Sequence, residues 1–405
     1  MEISKLVSAF SPEENQCAVS VVIPSFNSAK FLPGLFDYLL TQPLQDIEVI
    51  VADDGSTDNT REVVEGRMEK DARVHYCYQT NSGAGIARNL GLSNARGKYV
   101  ICLDADDLYE VNMLEKLYQT AEKFSAEVVI CNFRREDFWL HETVPDLGFR
   151  DLPVNQVFCM RDQLRANPRS IYADRPSNNL YLRKKVLENG VGYSGTRAGN
   201  DLFFTHVQML SADRIVCIPD NLLTVRRFLS DHSITSTRLA HLDDTVRALE
   251  QLFDWHETHF QNDSAVTENL IRRSCFSLSY NSNFGYSEAY IDEIRRMFSR
   301  EIWRKQKAER IRFMIGIDFR TVRAKMDEVT DRLPTLDGDE KKAAENQLLM
   351  LKGKYANYCW INALTDELMD RKIRFADVTA VRRASGKVIK PLVKVKHALM
   401  GKHGS

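Results

Sequence analysis

From about residue 18 to 135 the chain alternates short apolar runs with stretches whose apolar residues recur every three or four positions. The first run, VSVVI at 19–23, ends at Pro24 and is followed by a helical pattern through Phe31, Leu35, Leu39 and Leu40. Further runs lie at 47–51, 74–78, 99–103 and 126–131, with a polar helix expected near 59–70. Short β-branched runs separated by helices predict an α/β fold: a mostly parallel sheet covered by helices on both faces. Sheets of this kind take their ligands beyond the carboxyl ends of the strands. Polar clusters follow Ile23, Val51, Tyr78 and Leu103, at those ends. Residues 136–235 read as mixed, with 179–188 and 201–211 helical and 214–228 strand-like. Beyond 236 the pattern turns helical and charged, as in Val246, Leu249, Leu252 and Phe253, and Pro334 with Asp337-Gly338-Asp339 divides it.

Composition narrows the function classes. A length of 405 residues predicts more than one domain. The net charge of -1 excludes a general nucleic-acid binder, which needs a basic excess. The eight cysteines show no C-x-x-C pair and several lie in apolar runs, so they read as buried thiols of a reducing compartment rather than disulfides or a zinc site. The N-terminal residues lack a signal-peptide apolar core, and no apolar run reaches the roughly 18 to 20 residues needed to span a bilayer. A cytoplasmic protein is expected.

Three clusters carry candidate chemistry. Asp104-Ala105-Asp106-Asp107 follows a buried strand, and carboxylates packed this closely repel unless solvated or neutralised by a cation. Asp104 and Asp106 could hold a hard divalent ion through oxygen; a solvated acidic turn, with Asp107 capping a helix that begins near Leu108, is the plain alternative. In Asp53-Asp54-Gly55-Ser56-Thr57-Asp58 a carboxylate can accept from the ring N–H of a base, or the segment is a βα turn with a helix cap at Ser56 or Asp58. In Asn81-Ser-Gly83-Ala-Gly85-Ile-Ala-Arg88-Asn89-Leu-Gly91 the glycines invite a dinucleotide reading. Arg88, however, stands at the third glycine position and offers instead a fixed cation for phosphate or aspartate.

These clusters, together with Val21-Val-Ile-Pro24-Ser25-Phe26-Asn27, occur in the order and spacing of family 2 glycosyltransferases, which the chain resembles strongly over about 18–110 and more weakly over 175–235. The resemblance implies a GT-A fold over 18–235, after a lead-in at 1–17 and before a helical domain at 236–405, and inverting transfer of a sugar from a nucleotide diphosphate donor, with UDP expected. Pro24, Phe26 and Asn27 would line the nucleotide pocket, Asp54 and its neighbour Asp53 would recognise the base, and Arg88, Asp104 and Ala105 would hold the donor. Asp104 and Asp106 would bind Mn2+ or Mg2+. Asp201 lands on the position of the catalytic base, with Asn200 where the family usually has Glu. The segment Val225-Arg226-Arg227 through His232-Ser233-Ile234-Thr235 resembles the family's closing segment, so Arg226, Arg227 and His232 would approach the diphosphate, and His232 the metal. A sugar nucleotidyltransferase would need a Gly-rich basic segment where Pro24-Ser-Phe-Asn27 stands, and a non-catalytic scaffold would not need the acidic motifs.

The last 35 residues, 371–405, gather Arg371, Lys372, Arg374, Arg382, Arg383, Lys387, Lys390, Lys394, Lys396 and Lys402 against one acid, Asp377. Val388, Ile389, Leu392, Val393, Leu399 and Met400 fall on one helical face. A basic amphipathic helix suits an anionic membrane surface, where each basic residue contributes about 1 kcal/mol, although Pro391 interrupts it. A peripheral position on the inner face of the membrane, facing a glycan or lipid-linked acceptor, is the expectation; a partner-binding or solvated tail is the other reading.

Overall fold

The computed structural model describes residues 16–137, 142–146, 148–173, 175–226 and 241–282, with separate positions between 293 and 351. Arg227, His232 and the basic tail at 371–405 lie outside the described residues.

The strands, in chain order, are β1 (Cys17–Ser25), β2 (Ile47–Asp53), β3 (Val74–Tyr78), β4 (Gly97–Cys102), β5 (Leu108–Tyr109), β6 (Val128–Asp137), β7 (Glu142–Asp146), β8 (Phe149–Arg150), β9 (Val157–Phe158), β10 (Ile171–Tyr172), β11 (Asn179–Leu182) and β12 (Ile215–Val225). The helices are α1 (Leu32–Leu40), α2 (Thr60–Met68), α3 (Ala84–Asn94), α4 (Met113–Phe124), α5 (Met160–Ala166), α6 (Arg183–Asn189), α7 (Asn200–Ser211), α8 (Leu242–His259) and α9 (Ser264–Ser282). Ten strands form one sheet in the order β3-β2-β1-β4-β11-β6-β12-β5, with β7 on β6 and β9 on β12; β8 and β10 pair separately. β3, β2, β1 and β4 run parallel, as do β6 and β12, while β11 runs antiparallel between β4 and β6. The carboxyl ends of β1, β2 and β4 therefore share one edge.

Side chains alternate across a strand, so each central strand feeds two cores. Val19, Val21 and Ile23 of β1, Val49 and Val51 of β2 and Ile101 of β4 pack on one face with Leu35 and Phe36 of α1 and Leu114 and Leu117 of α4. Val22, Ile50, Val100, Cys102, Val128 and Ile130 pack on the other with Leu92 of α3, Val186 of α6 and Phe204 of α7. Both faces being apolar is why these strands read as continuous runs rather than as alternating ones. The mostly parallel sheet with helices on both faces is the architecture expected.

Two local expectations are corrected. Residues 179–182, expected to start a helix, form β11, and the helix α6 begins at Arg183. Asn179, Leu180 and Tyr181 are buried between two strands, and a four-residue run carries no period to distinguish strand from helix. No helix begins at Leu108: Leu108 and Tyr109 pair with Thr224 and Leu223 of β12, and α4 starts at Met113. Asp107 is thus a turn residue and not a helix cap.

By backbone contacts the chain divides into two compact units, 1–237 with 247–269, and 238–246 with 270–405. In the first, Trp255 and Val266 join the second-face core, and Asn269 Nδ2 donates to the carbonyls of Pro168 and Ser170, both at 3.1 Å. In the second, Val329, Leu348 and Leu351 form a small apolar cluster. Cys17, Cys77, Cys102, Cys131, Cys159 and Cys217 are free thiols. No helix among the described residues is long and apolar enough to cross a membrane.

Two fully buried histidines lie in the first unit. His206 Nδ1 shares a 2.7 Å hydrogen bond with the Tyr172 hydroxyl, and His256 Nε2 lies 3.3 Å from Thr267 Oγ1. Burial, and then His256, lower the His206 pKa from 6.5 to about 3; burial lowers His256 to about 4, partly opposed by Asp263. The unfolded chain takes up protons on both imidazoles below about pH 6.5 while the folded chain does not, so stability present above that pH is lost as pH falls. The pair is expected to lower the unfolding free energy by about 2–3 kcal/mol between pH 7.5 and 5.5. His256→Gln should halve this loss in paired urea titrations; an unchanged loss would acquit the pair.

Candidate active site

The shared edge of β1, β2 and β4 is built first by hydrogen bonds that join its loops. Asn27, just past β1, takes a left-handed backbone (φ 50°), which Asn tolerates better than most residues. Its Oδ1 accepts from the Thr57 amide at 2.8 Å and the Asp58 amide at 3.3 Å, and its own amide donates to Ser56 Oγ at 2.9 Å. Phe26, beside it, is 50% exposed, while Pro24 is half-buried in register with Ala52. Asp53 is buried and accepts from the Ser56 amide at 2.9 Å and the Tyr76 hydroxyl at 2.7 Å. Asp54, also buried, accepts from Gln79 Nε2 and the Ser82 amide, both at 2.7 Å, and from the Gly83 amide at 2.8 Å. Its carboxylate therefore sits at the N-terminus of α3, where the helix dipole favours negative charge.

α3 in turn presents Arg88. This buried guanidinium donates from Nη1 to Asn200 Oδ1 and from Nη2 to Asp104 Oδ1, each at 2.8 Å, and lies 5.4 Å from the Tyr193 ring centroid. α3 can approach α7 this closely because Gly85 has no side chain: a Cβ there would lie 2.1 Å from the Ser194 carbonyl oxygen and 2.9 Å from Asn200 Cβ.

The acidic turn after β4 is held by its own backbone and by β12. The Tyr109 hydroxyl donates to the Asp104 carbonyl at 2.7 Å, Arg226 Nε to the Asp106 carbonyl at 2.5 Å, and the Arg226 amide to Asp107 Oδ1 at 3.0 Å. Ala105 turns into the first-face core. Burial and the neighbouring Asp104 push the Asp106 carboxyl above the ordinary carboxylate range. Burial, then Asp104 and later Asp106, do the same to Asp107, opposed by Arg175. Asp107 Oδ2 is buried with no hydrogen-bond partner.

Asp201 lies in the first turn of α7, next to Asn200. Burial raises its pKa, Arg88 and Arg175 lower it, and Asp104 raises it, so its carboxylate lies in electrostatic reach of the acidic turn. Asp104, Asp106, Arg88, Arg226 and Asp201 are thus gathered at one end of the sheet, with Pro24, Phe26, Asn27, Asp53 and Asp54 on the adjoining turns. Asn200, Arg175 and Tyr193 belong to the same group without having been read as site residues. Asn200 stood beside the expected base, whereas nothing in the sequence around Arg175 marks it.

Among the described residues no three or more His, Cys, Asp and Glu side chains gather as a metal site. Asp104 and Asp106 nonetheless have the chemistry for a divalent ion completed by ligand oxygens: two carboxylates on one turn, of which Asp106 is pushed above the ordinary carboxylate range by burial and by Asp104, beside an orphaned carboxylate oxygen on Asp107.

Residues 20–189 match the model of glycosyl transferase family 2. The glycosyltransferase GlyG of Streptococcus pneumoniae is 35% identical over 216 residues, 52% of this chain and 70% of that protein. A putative teichuronic acid biosynthesis glycosyltransferase, TuaG of Bacillus subtilis, is 40% identical over 99 residues, 24% of this chain and 39% of that protein. The crystal structure of S. aureus TarS 1–349 in complex with UDP-GlcNAc shares the fold, with a TM-score of 0.53 at 18% identity over 85% of this chain and 92% of that one. The chain belongs to glycosyltransferase family 2, with the GT-A fold of that family.

Removing the Arg88 guanidinium strands a buried acceptor on Asn200 and a partly buried carboxylate on Asp104, so Arg88→Met is expected to cost roughly 2–3 kcal/mol of unfolding free energy. Adding Asp104→Asn should recover part of it. Urea denaturation of both variants measures this, and additive effects would show that the pair does not act as a unit.

Proposed function

We propose that this glycosyltransferase transfers a sugar from a UDP-sugar to an acceptor hydroxyl with inversion, in the synthesis of a bacterial cell-surface glycan. The observation that carries the reading is the Arg88 bridge, which links Asp104 of the acidic turn to the helix that bears Asp201. It joins Arg88 to Asn200, the neighbour of Asp201, across 112 residues of sequence.

Phe26 offers an exposed ring to a base, with Pro24 and Asn27 shaping the wall beside it. Asp53 and Asp54 supply acceptors near the base edge. Asp104 and Asp106 are the residues that would hold Mn2+ or Mg2+, whose charge offsets that of a departing diphosphate. The backbone at Ala105 would lie along the donor and Arg226 would face its phosphates; Arg227 and His232, which the family resemblance assigns to the diphosphate and the cation, lie outside the described residues.

In the transfer step the acceptor oxygen attacks the anomeric carbon from the face opposite the phosphate. Its proton passes to the Asp201 carboxylate, and the carbon–oxygen bond to phosphate breaks with its electron pair leaving on the diphosphate. Burial suits Asp201 to this role by raising its proton affinity. Arg88 keeps a fixed positive charge beside the reacting groups, where little water screens it. The uridine donor is supported by the TarS complex and the surface-polymer setting by the name of TuaG. The basic tail at 371–405 fits an anionic membrane carrying a lipid-linked acceptor.

Turnover of UDP-sugars by the full chain with Mn2+ tests the reading. Asp201→Asn should lower kcat by about 10²–10⁴-fold while leaving UDP affinity near that of the wild type, and Asp104→Ala should weaken UDP binding as well. An Asp201→Asn enzyme of undiminished kcat would sink the assignment.

A further inference from the structure

The cations facing the acidic turn differ in how tightly they are tied. Arg88 spends both terminal nitrogens on hydrogen bonds, and Arg226 is fixed to Asp107 through its amide and to Asp106 through Nε. Arg175 is looser. Its Nη1 lies 3.6 Å from Asp107 Oδ2 and 3.9 Å from Asp104 Oδ2, ion-pair distances beyond hydrogen-bonding range. The Asp107 oxygen it faces is the one left without a hydrogen bond.

The rest of Arg175 is held. Its carbonyl accepts from Asn179 Nδ2 at 2.9 Å, and its guanidinium lies 5.4 Å from the Phe133 ring centroid. The side chain remains 30% exposed. The arrangement is an anchored stem with a head poised over two carboxylates.

We propose that Arg175 is a positioning residue that exchanges partners as the donor loads. Before loading it neutralises Asp104 and Asp107 where a divalent cation would bind, and after loading it turns to an oxygen of the donor diphosphate. The proposal rests on the function assigned above. A divalent ion on Asp104 and Asp106 would share Asp104 with the Arg175 guanidinium, and two cations that close repel, so they compete for that carboxylate. By linkage, the factor by which the guanidinium pairing weakens the divalent ion is the factor by which the ion weakens that pairing. A guanidinium is permanently charged and its fork matches phosphate oxygens, which gives the displaced head a second partner.

Two measurements on the full chain test it, with Mn2+ and UDP as probes. Electron paramagnetic resonance of free Mn2+ gives the metal affinity without nucleotide, and calorimetry gives UDP affinity at saturating Mn2+. Arg175→Gln should tighten Mn2+ by about tenfold and weaken UDP by about tenfold. Arg175→Lys, which keeps the charge and guards against a folding defect, should fall between Gln and wild type in both. A merely structural residue would move both affinities the same way or neither, and either result overturns the proposal while leaving the enzyme assignment intact. Wild-type chain that binds no Mn2+ even with UDP overturns the metal reading and this proposal together; Asp106→Asn, which should lose Mn2+ in every background, marks that case.

Discussion

One buried guanidinium ties the site together. A charge taken out of water is costly unless it is paired, and Arg88 offsets much of that cost with a carboxylate on one terminal nitrogen and an amide oxygen on the other, its Nε having no hydrogen-bond partner. The two partners come from the turn after β4 and the first turn of α7. Had α3 carried a larger residue than Gly85 at its contact with Ser194, the helices could not approach and the bridge would not close. Upstream, Asp54 fixes the start of α3 through two backbone amides, so the aim of Arg88 is set from the end of β2. The edge is in this sense preorganised: each loop is clamped by its neighbour before any ligand arrives.

The sequence made the donor half legible because its signals are local. Each of β1, β2 and β4 is an apolar run long enough to recognise, and each ends in polar residues whose types already suggest chemistry. The helix bearing Asp201 was also readable, from its apolar period and the acid at its start. The parts that escaped depend on tertiary pairing. β11 is a four-residue strand whose identity comes from its two neighbours, and β5 is two residues long and exists because β12 lies beside it. Asn200 and Arg175 were overlooked as site members for the same reason: an amide and a guanidinium in unremarkable contexts gain meaning only from what they touch.

Electrostatics divide the site into a tied and an untied part. Asp53 and Asp54 have both carboxylate oxygens engaged by protein donors, so their charge is spent on structure as well as on whatever they contact. The acids of the turn after β4 are less well served. Asp106 and Asp107 both have raised proton affinity, which is the mark of negative charge held where water and donors are scarce. Such a turn gains from an incoming positive charge in a way the Asp53–Asp54 turn does not.

The reversal of β11 between β4 and β6 has an architectural consequence. Because β11 runs against β4 and β6, its first residue lies at the edge where the parallel strands end, and the chain leading into it arrives at the active side of the sheet. In a wholly parallel sheet that stretch would have entered from the opposite rim. The reversal lets residues just ahead of Asn179, Arg175 among them, be exchanged or lengthened while the β1–β4 scaffold keeps its register. Variation can thus be concentrated at one joint of the fold without rebuilding the strands that carry the Asp54 and Asp104 turns.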